Sequence, residues 1–319
     1  MLFSTYNCVL ASVYNYLKQI HGLNPSIEAI CLQPSMLLLH GVDGFVSISS
    51  PLSLAETYLD GIGAAIEFPA FDGIDEALAY ASAHLASSGG LPFSINLRYD
   101  VLEPLPFDND LWHFHWMAGR EDDGSYRMFD MYENEYYRME RSRLRLAIDT
   151  PFNYRDDGKF KPFMVVRAPD LDAARMKMES GADFGRQLRN TASAYPLDVN
   201  REVWNNGLAF LRRFIREKPD PGSMYRAMNF AQILTRCRSV IWDSLRERGL
   251  SDLPEVRLWR ERWLLYRSVL GIALSRRTDE EFDRLEASFG PLIDLEYEAL
   301  NAASRTAAGS GRCREGRGA

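Results

Sequence analysis

The sequence predicts an α+β domain followed by an all-helical one, and three observations carry that reading. The first part opens with a single helix-period segment and then runs through stretches of strand character separated by turn chemistry. After Ala168-Pro169 every apolar period is helical. At 319 residues the chain exceeds what one hydrophobic core comfortably fills. The boundaries that follow are 1–168 for the α+β domain, 169–306 for the helical domain and 307–319 for a Gly-Ser-Arg-rich tail expected to be disordered.

The elements follow in order. From Asn7 to His21 the apolar set Val9, Val13, Leu17 and Ile20 has helical spacing, and Gly22 ends it. A short helix around Ile27 to Leu32 precedes a strand at Met36 to His40, which Gly41 closes. Ser53 to Leu59 reads as a helix, Ala64 to Phe68 as a strand, and Ile74 to Ala86 as an amphipathic helix stopped by Gly89-Gly90. Three strands are expected at Leu91 to Arg98, Leu111 to Gly119 and Ser125 to Tyr132, the last two joined by an Asp-Asp-Gly hairpin. A helix at Ser142 to Ile148 and a strand at Phe160 to Arg167 complete the domain. Beyond it the helices are Leu171 to Ser180, Gly185 to Ala194, Arg201 to Lys218, Met224 to Gly249, Val256 to Arg277 and Glu280 to Ala303. Pro196, Pro219, Pro221 and Pro254 mark breaks between them.

Composition narrows the function. No apolar run approaches the ~20 residues of a membrane span, and no signal-like segment opens the chain, so a cytoplasmic protein without a membrane partner is expected. Cys8, Cys31, Cys237 and Cys313 show no CxxC pairing and read as free thiols. Up to Arg167 there are 22 acids against 12 bases, and after it 22 against 25, with all five histidines in the acidic part. No basic stripe interleaves with aromatics, which argues against nucleic acid as a partner.

Cys8 opens the first helix, with Asn7 before it as a favourable cap. The positive helix end lowers a thiol pKa, and its N–H groups can hold an oxyanion. In His113-Phe114-His115-Trp116 the two histidines share one strand face, and either imidazole could serve Cys8 as base. Asp130, in the next strand, could orient the imidazole. Cys8, His113, His115 and Asp130 would also suffice as zinc ligands, but no short-range ligand pair supports a metal, and none is expected. His21, His40, His84, Cys31 and Cys237 read as structural, and Cys313 as inert. Trp259, Trp263, Leu264, Tyr266 and Leu270 read as helical core.

Asn7-Cys8 opening a helix, His113-Phe114 with Gly119 six positions on, and a hydrophobic strand ending in Asp130 together resemble the papain-like bacteriocin-leader cysteine peptidases. They resemble more closely the non-proteolytic relatives of those peptidases, the butirosin-biosynthesis H-type acyltransferases. Leu91-Pro92-Phe93-Ser94-Ile95-Asn96, Tyr99-Asp100 and Leu105-Pro106-Phe107 match a stretch those acyltransferases carry before the histidine, and the likeness covers residues 1–167. The resemblance implies a papain-like fold for the first domain. It also implies transfer of an acyl group from an acyl-carrier-protein thioester, through acyl-Cys8, to a small amine acceptor in specialised metabolism. In that scheme Cys8 is the nucleophile, His113 the general base and acid, and Asp130 the orienting residue. No cofactor is needed, because phosphopantetheine arrives on the carrier protein. The peptidases place an oxyanion-hole glutamine ahead of the cysteine, and this chain has none there. Ser4 and Asn7 are the replacement candidates, with His115 and Asp100 as residues that could touch substrate. A thioesterase or peptidase of the same fold, and a non-catalytic binding module with Cys8 merely buried, are the alternative readings. Arg212-Arg213, Arg236, Arg238, Arg260, Arg262 and Arg276-Arg277 would offer an acidic carrier a docking surface on the helical domain.

Overall fold

The computed structural model describes residues 7–26, 30, 32–33, 37–48, 51–99, 112–131, 133–154, 157–181, 184–217 and 219–312. It mixes helices with small antiparallel sheets, as an α+β chain should. Two compact units result, Met1–Pro25 with Pro51–Glu179, and Ser26–Ser50 with Ser180–Ala319. The first unit opens with α1 (Cys8–Gln19). The chain then contributes a hairpin, β1 (Leu39–Val42) and β2 (Phe45–Ile48), to the second unit. Back in the first unit come α2 (Pro51–Ile62), β3 (Ala65–Glu67), α3 (Ile74–Ser88), β4 (Leu91–Asn96), β5 (Trp112–Arg120), β6 (Tyr126–Asp130) and β7 (Glu135–Met139). α4 (Arg141–Ile148), β8 (Val165–Arg167) and α5 (Leu171–Gly181) follow. The second unit is completed by α6 (Phe184–Ser193), α7 (Leu197–Arg216), α8 (Pro221–Glu247), α9 (Pro254–Arg276), α10 (Asp279–Phe289) and α11 (Leu292–Arg312).

In the first unit β4, β5, β6 and β7 form one antiparallel sheet in sequence order, and β3 pairs with β8. The Asp-Asp-Gly turn is where the sequence puts it, with Gly124 at φ 82°. β7 is additional to the expected strands. It returns from β6 through Asn134, at φ 61°, and its burial alternates only weakly. The expected strand from Phe160 to Arg167 shortens to β8, preceded by single bridges of Phe160 to Phe71 and Phe163 to Phe93. α1 is buried almost all round: Val9, Leu10, Val13 and Leu17 are joined in the interior by Ser12 and Asn15. The Asn7 side-chain oxygen accepts from the Val9 and Leu10 N–H groups at 3.0 and 3.1 Å, which fixes where the helix begins. Asn7→Ala is expected to cost about 1 kcal/mol of stability, read by urea unfolding.

In the second unit the sequence reading needs four corrections. Residues 26–50 belong to it although they were expected in the first domain, because the hairpin buries its apolar side there. Phe45 packs on Phe210, Phe214 and Phe230 at ring separations of 4.9, 5.1 and 5.8 Å. Asn200 ties the same segment down, accepting from the Leu39 N–H at 2.8 Å and donating to the Leu37 carbonyl at 2.7 Å. β1 runs through Gly41 rather than ending there, and turns at Asp43-Gly44, both at positive φ. The helix expected over Glu280 to Ala303 is two helices broken at Gly290-Pro291, where proline has no N–H to donate. The last helix reaches Arg312, past the boundary expected at residue 306, and 313–319 lie outside the described residues.

Fully buried Glu296 organises this helical core. Its carboxylate accepts from Arg238 Nε and Nη2 at 2.6 and 2.9 Å, from the Tyr195 hydroxyl at 2.8 Å, and from the Trp259 and Trp263 indoles at 3.1 Å each. Trp259, Trp263, Tyr266 and Leu270 are core as expected, whereas Leu264 is exposed. The proposed arginine docking surface is reduced accordingly. Arg238 is interior, Arg212 is engaged by Asp283 and Glu286, and Arg276 pairs with Glu281. Among the described residues no helix is long and apolar enough to cross a membrane.

Candidate active site

The site lies in the first unit, where the start of α1 meets the beginning of β5, an interior strand of the four-stranded sheet. Ser94 and Phe114 face each other across β4 and β5, yet the Ser94 N–H leaves that ladder to donate to the Pro162 carbonyl at 2.8 Å. The pair therefore exchanges no hydrogen bonds, and the Phe114 N–H points toward the opposite edge. There the register with β6 begins only at Trp116. The Phe114 N–H is free of the ladder at that point and donates to Cys8 instead.

Cys8 is half-buried and His113 hydrogen-bonds its thiol. Burial alone would raise the thiol pKa, but the charge of His113, its hydrogen bond and the Phe114 N–H together bring it below its ordinary value. His113 moves the other way. Burial opposes its protonation, and the negative sulfur and the Asp130 carboxylate overcome that and raise it. Both shifts favour the ion pair of thiolate and imidazolium over the neutral pair. Asp130 Oδ1 lies 3.6 Å from His113 Nε2, and the Glu133 N–H donates to the same carboxylate oxygen at 3.1 Å. Catalytic contacts of this length commonly tighten when substrate binds.

His115 sits on the same strand face, fully buried, with its ring centre 4.9 Å from that of His113. Its Nε2 is 3.7 Å from Asp130 Oδ2, and its Nδ1 lies 2.5 Å from the Tyr137 hydroxyl. Two like charges about 5 Å apart repel by roughly 3 kcal/mol at an effective dielectric near 20, so only one imidazole carries charge. Burial first, then the His113 charge, depress His115 to about 3, and it is neutral. Its contribution to stability is thus present above its ordinary value near 6.5 and lost as pH falls toward 3, where the unfolded chain binds a proton the folded chain refuses. Its share of the acid-side slope, up to about 1.4 kcal/mol per pH unit, is expected to disappear in His115→Gln when urea unfolding is followed from pH 7 to 4.

The expected nucleophile, base and orienting carboxylate are thus brought together. Asn7 lies beside them, and its side-chain oxygen caps the helix by accepting from the Val9 and Leu10 N–H groups, which takes those two backbone donors away from an oxyanion. Of the first-turn donors, the Cys8 N–H is the one used neither by the Asn7 cap nor by the helix ladder. Ser4 and Asp100 lie outside the described residues, as do Cys31 and Cys313. His21 contacts the Val166 carbonyl at 2.6 Å, His84 stacks on Tyr80, and Cys237 is buried. Tyr137 is a site residue the sequence reading missed, because β7 was not recognised. Its signal was the Glu133-Asn134 turn followed by Glu135-Tyr136-Tyr137-Arg138-Met139. His113, His115 and Asp130 each present a ligand atom within 4.8 Å of the other two, close enough for a metal ion to draw together. No known protein family and no curated protein matches the sequence.

Proposed function

We propose that this protein is a cysteine acyltransferase of papain-like architecture, with Cys8 as nucleophile, His113 as general base and acid, and Asp130 as the residue that orients His113. The single observation that carries the reading is the placement of Cys8 at a capped helix start, hydrogen-bonded to a histidine whose far side faces a buried carboxylate. A cysteine that were only a small buried hydrophobe would have its thiol raised.

The thiolate attacks the carbonyl carbon of a thioester, and the Cys8 N–H faces the oxyanion that develops. Collapse expels the donor thiol, which takes its proton from the His113 imidazolium, and leaves acyl-Cys8. His113, now neutral, removes a proton as an amine attacks, and returns it to the Cys8 sulfur as the new amide forms. An acyl-carrier-protein thioester is the proposed donor. The excess of acids over bases up to Arg167 favours a cationic amine as acceptor.

Incubation with acyl-phosphopantetheine thioesters of varied chain length, followed by intact mass spectrometry and peptide mapping, tests the reading. An acyl group on Cys8 that is discharged faster by amines than by buffer is the expected result. Discharge by water alone would make the protein a thioesterase, and failure to acylate with every donor would remove the acyltransferase assignment.

A further inference from the structure

Asp130 is the point where this site extends beyond three residues. One carboxylate oxygen faces His113 at 3.6 Å and the other faces His115 at 3.7 Å, so the carboxylate lies between two rings of the same strand face. His115 in turn meets the Tyr137 hydroxyl at 2.5 Å, across the sheet on β7. Both outer residues are buried, His115 completely and Tyr137 to 9% exposure.

We propose that His115 and Tyr137 are positioning residues of the Cys8 site, in which the Tyr137 hydroxyl donates to His115 Nδ1 and thereby fixes His115 Nε2–H toward Asp130. The inference rests on the assignment of Cys8 and His113 as nucleophile and base. The direction of each proton follows from acceptor and donor chemistry. A neutral imidazole has one N–H and one bare nitrogen, and a carboxylate can only accept, so the N–H belongs on Nε2 and the bare nitrogen faces the tyrosine. Tyrosine, which can donate, completes the arrangement. With the tautomer fixed, Asp130 is steadied from behind without a second positive charge that would compete with His113 for it. A His115 turned to the other tautomer would set a lone pair against Asp130 and weaken its hold on the imidazolium. This ordering of the base by a carboxylate that is itself ordered is what an outer shell does for a reactive centre.

The test uses the pH dependence of Cys8 alkylation by chloroacetamide, a probe that needs no knowledge of the substrate. In the wild type, alkylation should show a broad plateau window bounded by thiolate formation on the acid side and, on the alkaline side, by a further rise where imidazolium loss leaves the more nucleophilic bare thiolate. Tyr137→Phe and His115→Leu weaken Asp130, so the acid limb should rise, the alkaline limb should fall, and the window should narrow by about one pH unit at each side. His115→Gln places an amide N–H where Nε2–H was and should restore most of the window, while His115→Asn, whose amide is too short to reach, should not. A merely structural role would lower thermal stability without moving either limb. Unmoved limbs in folded Tyr137→Phe and His115→Leu would therefore overturn the proposal. Should those variants not fold, ¹⁵N spectroscopy of the wild-type histidines decides: a bare Nδ1 and protonated Nε2 on His115 from pH 5 to 8 is expected, and the opposite tautomer overturns it. A wild-type Cys8 that alkylates only as an ordinary thiol would instead defeat the assignment of Cys8 and His113 itself.

Discussion

Cys8→Ala is expected to abolish acyl transfer outright, and His113→Ala to lower it by roughly 10²–10⁴-fold. The two losses differ in kind. Without the sulfur there is no atom to carry the acyl group, so no adduct should appear by mass spectrometry. Without His113 the sulfur remains, but the imidazolium that holds it as a thiolate at neutral pH is gone, along with the acid that protonates the leaving thiol. Acylation of His113→Ala should therefore recover partly at alkaline pH, as the hydroxide concentration does what the imidazolium no longer can. His115→Ala should cost about an order of magnitude, since its effect reaches the sulfur only by way of its neighbours His113 and Asp130. Single-turnover acylation rates from pH 6 to 9.5 check the ranking. An equal loss at His113 and His115 would mean that the base is not His113 alone, and a Cys8→Ala protein that still discharged thioesters at the wild-type rate would end the mechanism.

Glu296→Leu is expected to produce the largest loss of stability in the chain. The substitution leaves the Arg238 guanidinium without its counterion in a fully buried site, and strips acceptors from the Trp259 and Trp263 indoles and the Tyr195 hydroxyl. Removing one partner of a buried ion pair costs about 3–5 kcal/mol, a large part of the stability of an ordinary domain. The penalty belongs to the orphaned charge more than to the lost attraction. The double variant Arg238→Met with Glu296→Leu should therefore be less damaged than Glu296→Leu alone, because it removes both charges and leaves apolar volume behind. Urea unfolding of the three proteins measures the difference. A double variant weaker than the single one would show that the five donors on Glu296 matter more than the buried charge.

The local residues determined much of this protein without help. Asn7-Cys8 fixes a helix start because an amide side chain before the first turn satisfies N–H groups that nothing else in the segment can reach. Alternation alone put His113 and His115 on one face of a strand and Phe114 and Trp116 in the interior, and the Asp-Asp-Gly turn set β6 beside them. The three expected catalytic residues meet for those reasons.

Tertiary structure decided the rest, because the deciding partners are far away in sequence. The β1–β2 hairpin joined the second unit since its aromatic side chain found Phe210, Phe214 and Phe230, a match no local period reveals. Arg238 looked like a surface charge and is interior, because Glu296 lies 58 residues on and meets it inside the bundle. Strand alternation alone left open which histidine takes the proton, since both rings share a face, and only the family resemblance, through the spacing to Gly119, pointed to His113. His113 received the thiol and the charge, and His115 received the hydroxyl of a tyrosine 22 residues away and full burial. Position on a strand is a local property, whereas the charge an imidazole carries is set by what surrounds it.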